Sequence, residues 1–152
     1  MNSKLSLRFV VFMFFYQIFT TIFMYLPPLL GVVFCAIVLN INKETRENKN
    51  DVYLGFLYLV FIETLHNFYL FSSVFGFFIF YYNFANWLKT SFKFQYLLLV
   101  LLVVCGYVLT IIVNLFLSYA FNEDFMSFDF IYVYYMLIES IICIILFKGY
   151  VL

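Results

Sequence analysis

Charged side chains are scarce in this chain of 152 residues, and this scarcity excludes a water-soluble domain. Eight Lys and Arg and eight Asp and Glu make up 11% of the chain and cancel to a net charge of zero, while apolar residues make up 67%. The mean hydropathy is +1.07. A soluble domain of this size has too little interior to hide so much apolar surface, so lipid must be the solvent. Without a basic block or an acidic tail, we expect no nucleic-acid partner.

Residues and motifs that usually carry chemistry are also few. Histidine occurs once, at His66, so a histidine metal cluster is excluded. The three cysteines, Cys35, Cys105 and Cys143, lie far apart in apolar runs, and their spacing suits neither a disulfide framework nor a zinc site. We interpret them as small residues facing the core or the lipid. No GxSxG motif, P-loop or Gly-rich phosphate cradle is present. We therefore expect no enzymatic activity, no cofactor and no metal.

What the chain does contain is a series of long apolar blocks, which predicts an all-α membrane protein with six transmembrane helices in one domain, 1–152. Prolines and charges place the blocks at residues 9–26, 29–41, 52–88, 94–121 and 130–147. Pro27-Pro28 forms a turn, and "NKETRENKND" (42–51) is the one long hydrophilic loop. Block 52–88 would be about 55 Å long as one helix, so it must fold back as two spans. Ser72, Ser73 and Gly76 mark the expected turn region, near Leu70.

The basic residues predict the orientation of these spans. In a six-span arrangement they all fall on one side, in clusters near residues 4–8, 43–49, 89–93 and 148. The positive-inside rule then places both termini in the cytoplasm of a multi-pass protein. The N-terminal apolar stretch is too long for a signal peptide and no small-x-small cleavage site follows it, so we expect an uncleaved first span.

Three polar side chains stand out inside the apolar blocks: Gln17, Glu63 and Glu139. Counted from the nearest charged boundary, they lie about 14 to 18 Å deep, near the middle of the membrane. A charge there costs about 2.5–3.5 kcal/mol on insertion scales. We expect both glutamates to face the helix bundle, hydrogen-bonded or protonated. For Glu139, beside Ser140, we favour a structural hydrogen bond between helices.

The stretch "YLVFIETLHNFYLF" groups Glu63 with His66 and Asn67. Offsets of three and four residues would put all three on one face of a helix, as a polar site or proton relay. In the other interpretation the third span ends near Asn67, and His66 and Asn67 lie at the outer interface and satisfy backbone groups at a helix end. A neutral, hydrogen-bonded Glu63 predicts that Glu63→Gln is mild.

The layout resembles a known family. A first span, then "YLPPLL" opening the second, a polar loop and "GFLYLVFIETL" are similar to the rod-shape-determining protein MreD family, with Gly55 and Glu63 at its glycine and acidic positions. Glu63 stands where that family usually has Asp, and "HNFYLFSS" lacks the glycines and proline common after it.

The resemblance implies a non-enzymatic scaffold in the bacterial cytoplasmic (inner) membrane. It would bind an MreC-like membrane protein, with RodA and a penicillin-binding protein as further partners in the complex that directs lateral cell-wall synthesis. It also implies a six-helix fold similar to the substrate-binding components of energy-coupling-factor transporters.

Two other functions stay open at this point. A transport component that binds a small ligand would need polar and aromatic groups near the outer loops, and "NEDFMSFD" with Tyr132, Tyr134 and Tyr135 is the only candidate. The third possibility is a small accessory subunit of another membrane complex.

Overall fold

The computed structural model describes residues 3–23, 25–41, 46–84, 95–122 and 129–147. Within these ranges all regular secondary structure is α-helix, which confirms the predicted all-α class. The six helices are α1 (Ser3–Ile22), α2 (Leu30–Ile41), α3 (Arg46–Leu65), α4 (Ser72–Asn83), α5 (Gln95–Phe121) and α6 (Ile131–Leu146).

Block 52–88 folds back on itself as predicted, but its turn lies earlier than expected. Helix α3 ends at Leu65 and α4 begins at Ser72, so the connection is residues 66–71. Ser72 and Ser73 therefore open α4, and Gly76 lies inside it rather than in a turn. Part of the predicted hydrophilic loop is also helical, because α3 already begins at Arg46. Residues 42–45 lie outside the described ranges, as do four of the eight basic residues behind the predicted orientation: Lys43, Lys89, Lys93 and Lys148.

Four residues with positive φ shape the connections between the helices. Asn67 (φ 55°) follows the end of α3, and Asn122 (φ 52°) follows α5. Asparagine tolerates this left-handed conformation and commonly ends helices in it. Leu29 (φ 62°) and Phe71 (φ 68°) immediately precede α2 and α4. Bulky residues rarely adopt this conformation, so the surrounding structure must hold these two in place.

Helix α2 forms the centre of the bundle. It packs against α3, α5 and α6, and its Leu30, Phe34 and Ile37 side chains are completely buried. Helix α4 packs against α5. Gly76 allows this close approach, because a Cβ there would lie 3.3 Å from the backbone at Leu109 and Thr110. Helix α1 packs against α3. The central helix is thus shielded by the others along most of its length.

Apolar side chains form both the core and much of the surface of the described helices. Large apolar side chains are exposed along the helices, among them Phe15, Leu57, Ile112 and Leu137. The buried polar and charged residues are Gln17, Thr20, Glu63, Ser72, Ser73, Thr110, Asn114, Ser118, Glu139 and Ser140. By length and apolar character, one described helix, over Tyr96–Phe121, can cross a membrane. Shorter apolar helices span Val11–Ile22, Leu30–Ile41 and Ile131–Leu146.

Candidate functional site

The carboxylate of Glu139, on α6, caps the N-terminus of α2. The backbone N–H groups of Gly31 and Val32 donate to its Oε2 over 2.7 and 3.1 Å. The Tyr107 hydroxyl, on α5, donates to Oε1 over 2.5 Å. The first N–H groups of a helix have no partner within the helix and carry its positive partial charge, so a carboxylate is a favourable acceptor there. Glu139 thereby joins three helices at one buried point.

Gly31 leaves room for this carboxylate. A Cβ at Gly31 would lie 3.0 Å from Oε2 of Glu139 and 2.6 Å from Cγ1 of Val103. Both distances are shorter than side chains tolerate without movement. The cap therefore requires a residue without a side chain at the second position of α2.

Glu63 caps the N-terminus of α4, as Glu139 caps that of α2. Its Oε2 accepts the N–H of Phe71 over 2.6 Å, and its Oε1 accepts the N–H of Ser73 over 2.5 Å and the Ser72 hydroxyl over 3.2 Å. The left-handed Phe71 turns the chain so that these donors converge on one carboxylate, as in backbone anion-binding nests. This cap is local, because Glu63 lies only nine positions before Ser72, the first residue of α4.

The groups around both carboxylates are donors. The hydrogen bonds of Glu63 and Glu139 come from backbone N–H groups and from the hydroxyl groups of Ser72 and Tyr107. The backbone N–H groups need an acceptor, and at each site a carboxyl oxygen at the N-terminus of a helix supplies it.

Gln17 is the centre of a second group of buried hydrogen bonds, which connects α1 to α3 and to Pro28. Its side-chain amide donates to the Pro28 carbonyl and, over 2.5 Å, to the Tyr58 hydroxyl on α3, and its Oε1 accepts the Thr20 hydroxyl. The Tyr16 hydroxyl donates to the Pro27 carbonyl over 3.0 Å. The two prolines are buried. Polar side chains of α1 thus satisfy the carbonyl groups of the buried segment that enters α2.

His66 and Asn67 do not form a helical face with Glu63, which corrects the predicted polar site. Helix α3 ends at Leu65, before either residue. His66 is half-buried, and its Nε2 lies 3.2 Å from the Thr20 hydroxyl oxygen. Asn67 is exposed and so is not a buried candidate. This arrangement matches the alternative in which the span ends near Asn67.

Helix α5 contributes polar groups that sequence reasoning missed. Tyr107 binds Glu139, and Oδ1 of Asn114 accepts the N–H of Tyr69 over 2.7 Å. The signal was available: Tyr107, Thr110, Asn114 and Ser118 are spaced by three or four residues, and all four are buried. That spacing puts them on one face of a helix within an otherwise apolar block.

A metal ion needs several ligating side chains that lie close together. The described part of the chain contains no group of three or more His, Cys, Asp or Glu side chains placed to hold a metal ion. Ser140, beside Glu139, donates to the Met136 carbonyl of its own helix over 2.6 Å. The hydroxyl of Ser73 is the one buried side-chain group in these ranges without a hydrogen-bond partner. The hydrogen bonds of Glu63 and Glu139 therefore fix the beginnings of α4 and α2.

Comparisons with known proteins give no match. No protein family, no curated protein and no solved structure is similar enough to this chain to be recognised as a relative.

Proposed function

We propose that this chain is a multi-pass protein of the bacterial cytoplasmic membrane, crossing it six times with both termini in the cytoplasm. The observation that carries the proposal is the apolar surface of the bundle: Phe, Leu and Ile side chains are exposed along the described helices, while Gln17, Glu63 and Glu139 are buried. In lipid, apolar side chains need no burial, and polar groups must find partners within the protein. The short helices α2 and α4 fit this setting because buried side chains satisfy their N-termini.

The tyrosines support the same placement. Exposed tyrosines lie near helix ends, in the last turn of α4 (Tyr82), at both ends of α5 (Tyr96 and Tyr119) and in the first turn of α6 (Tyr134). Tyr53, also exposed, lies in α3 two residues after Asp51, whereas Tyr58 and Tyr107 are buried within their helices. Tyrosine prefers the interface between lipid and water, where its hydroxyl reaches water and its ring stays in an apolar layer.

As its function, we propose a non-enzymatic scaffold of the MreD type that binds an MreC-like membrane protein and supports rod shape. Gly55 and Glu63, the two residues on which the resemblance rests, both have structural roles. A Cβ at Gly55 would lie 2.7 Å from Ile37 on α2, so this glycine sets the α2–α3 contact. Glu63 caps α4. A scaffold requires a fixed shape and no reacting group, and internal hydrogen bonds occupy the buried carboxylates.

A partner would then bind mainly through apolar helix faces. The exposed side chains of the described helices are dominated by Phe, Ile, Leu and Tyr. Association of helices within lipid relies on close packing and on hydrogen bonds between helices rather than on removal of apolar surface from water. The contact is expected to survive mild detergent and to be lost in harsh detergent.

The test is co-purification from native membranes in mild detergent, combined with depletion of the protein. We expect an MreC-like protein to co-purify and rod-shaped cells to become round on depletion. A transporter ATPase in place of the MreC-like protein would instead favour a ligand-binding transport component. Depletion without a defect in shape or envelope would remove the scaffold proposal. A tagged chain carrying Thr64→Val, which changes an exposed residue, is a control for tagging and expression.

A further inference from the structure

Four of the six helices are short for a membrane span. Helices α2 and α4 each contain 12 residues, so each is about 18 Å long. Helix α6 contains 16 residues and is about 24 Å long. The part of α3 that follows its polar residues 46–51 is 52–65, which is about 21 Å long. The hydrocarbon core of a typical bilayer is about 30 Å thick, so all four are shorter than the layer they would cross.

The ends at which α4 and α6 begin lie close to one level of the bundle. The ring of Phe68, in the connection between α3 and α4, lies 6.0 Å from the ring of Tyr132, in the first turn of α6. Asn67, which follows α3, and Asp129, which precedes α6, are both exposed. Exposed polar and charged groups belong in water or among lipid headgroups rather than in hydrocarbon. This level therefore marks one boundary of the apolar surface.

The other boundary lies where α2 ends and α3 becomes apolar. Helix α3 packs against α2 and follows it after a short connection, so the two are antiparallel. A Cβ at Gly55 would lie 2.7 Å from Ile37, so these two residues lie side by side. Asp51 is four residues before Gly55, and Ile41, the last residue of α2, is four residues after Ile37. Asp51 is therefore level with the end of α2, and both helices give the same short distance to the first boundary.

Helix α5 is the exception, because its 27 residues are about 40 Å long. The N–H of Tyr69, in the connection between α3 and α4, donates to Oδ1 of Asn114 over 2.7 Å. Beyond Asn114, α5 continues for about 10 Å to Phe121. It thus extends past the level at which α3 ends and α4 begins. A helix that is longer than the local hydrocarbon layer is accommodated by tilting or by projecting from it.

We propose that the bundle has an apolar belt about 18–24 Å high and that its lipid partners are phospholipids with short acyl chains. This inference rests on the membrane location proposed above. Exposed side chains on the short helices, among them Phe75 on α4 and Leu137 and Ile141 on α6, form the surface that these acyl chains cover. A bilayer that is thicker than the belt must thin around the protein, and the free-energy cost grows with the mismatch. The protein is therefore sorted into thin regions of the membrane.

The test uses vesicles of phosphatidylcholines whose two monounsaturated chains have from fourteen to twenty-two carbons. Trp87, the one tryptophan of the chain, is replaced by Phe, and Phe75→Trp or Ile141→Trp then places a single fluorescent probe on α4 or α6. A phospholipid with brominated chains of eighteen carbons quenches a tryptophan that it contacts, and each other lipid competes with it for that contact. We expect the relative binding constant at both probes to be highest for fourteen carbons and to fall with each longer chain. The unaltered protein should have its highest thermal midpoint in the same lipid.

The possible outcomes separate this proposal from the membrane location. Equal binding constants for all lipids, or a maximum at eighteen carbons or more, would overturn the thin belt and leave the membrane location intact. Folded variants that no brominated lipid quenches would contradict both. If the variants fail to fold, the unaltered protein decides, because a highest midpoint in lipids of eighteen or more carbons contradicts the thin belt. Whether an MreC-like partner is found does not affect these measurements, which are made on the isolated chain.

Discussion

Glu139 and Gly31 lie 108 positions apart in the sequence and meet at the start of α2, where the N–H of Gly31 donates to the carboxylate over 2.7 Å. This cap is supplied by the last helix to the central one. By contrast, Glu63 caps α4 from the neighbouring end of the preceding helix. The cap of α4 can thus form as soon as α3 and α4 meet. The N-terminus of α2, by contrast, has no cap until α6 is in place.

The first prediction concerns the space that Gly31 leaves. Gly31→Ala should lower the free energy of unfolding by about 1–3 kcal/mol, the usual result of forcing a methyl group into a packed site. The better helix propensity of alanine, worth about 1 kcal/mol, offsets only part of this loss. The measurement is unfolding by SDS in mixed micelles.

Val103→Ala provides the matched comparison for Gly31→Ala. The nearest atom to the added methyl group is Cγ1 of Val103, at 2.6 Å, followed by the Glu139 carboxylate at 3.0 Å. The double variant Gly31→Ala/Val103→Ala should therefore recover part of the stability relative to the sum of the single changes. Strict additivity would show that the two positions are not in contact.

A second prediction concerns Glu63 and revises the expectation from the sequence. The side-chain amide of Gln has one accepting oxygen, but two backbone N–H groups, of Phe71 and Ser73, converge on different oxygens of Glu63. In Glu63→Gln an NH₂ group would face one of these donors. We expect a loss of about 1–3 kcal/mol, the typical cost of a buried donor left unsatisfied. Glu63→Leu should be worse, because both donors lose their acceptor.

Thr64→Val is the control for this series. Thr64 is exposed, and its hydroxyl donates to the Phe61 carbonyl of its own helix over 2.8 Å. The change should alter the free energy of unfolding by less than about 0.5 kcal/mol. If Glu63→Gln proves as mild as Thr64→Val, then the side chain is a neutral group, as the sequence suggested, and the donor argument is wrong.

The sequence was informative where a single physical rule applied. Length alone required block 52–88 to fold back, and depth alone marked Gln17, Glu63 and Glu139 as groups in need of partners. The partners themselves could not be read from the pattern. Leu29 and Phe71 have no propensity for positive φ, so no sequence pattern predicts the turns that direct backbone N–H groups toward the carboxylates.

A third prediction tests the bond between Tyr107 and Glu139. Tyr107→Phe removes one donor and keeps the buried ring, so we expect a loss of about 1 kcal/mol. In a Glu139→Leu background the same change should cost much less, which gives a coupling of about 0.5–3 kcal/mol in a double-mutant cycle. Tyr96→Phe, at an exposed position, is the control. Equal effects of Tyr107→Phe in both backgrounds would rule out the contact.

The final prediction tests the crossing of the membrane. In a bundle that crosses the membrane six times, α2 and α6 run in the same direction and begin at the same end. Helix α3 packs on α2 and follows it after a short connection, so it returns in the opposite direction and begins at the other end. Asn50, near the start of α3, and Asp129, just before α6, are both exposed.

The test adds a membrane-impermeant maleimide to intact cells, after any outer membrane has been permeabilised. If both termini are in the cytoplasm, the reagent should label Asp129→Cys and leave Asn50→Cys unmodified. After the membrane is permeabilised, both variants should react. The unaltered protein measures labelling of the native cysteines. Labelling of both variants before permeabilisation would contradict six crossings, and labelling of Asn50→Cys alone would reverse the orientation.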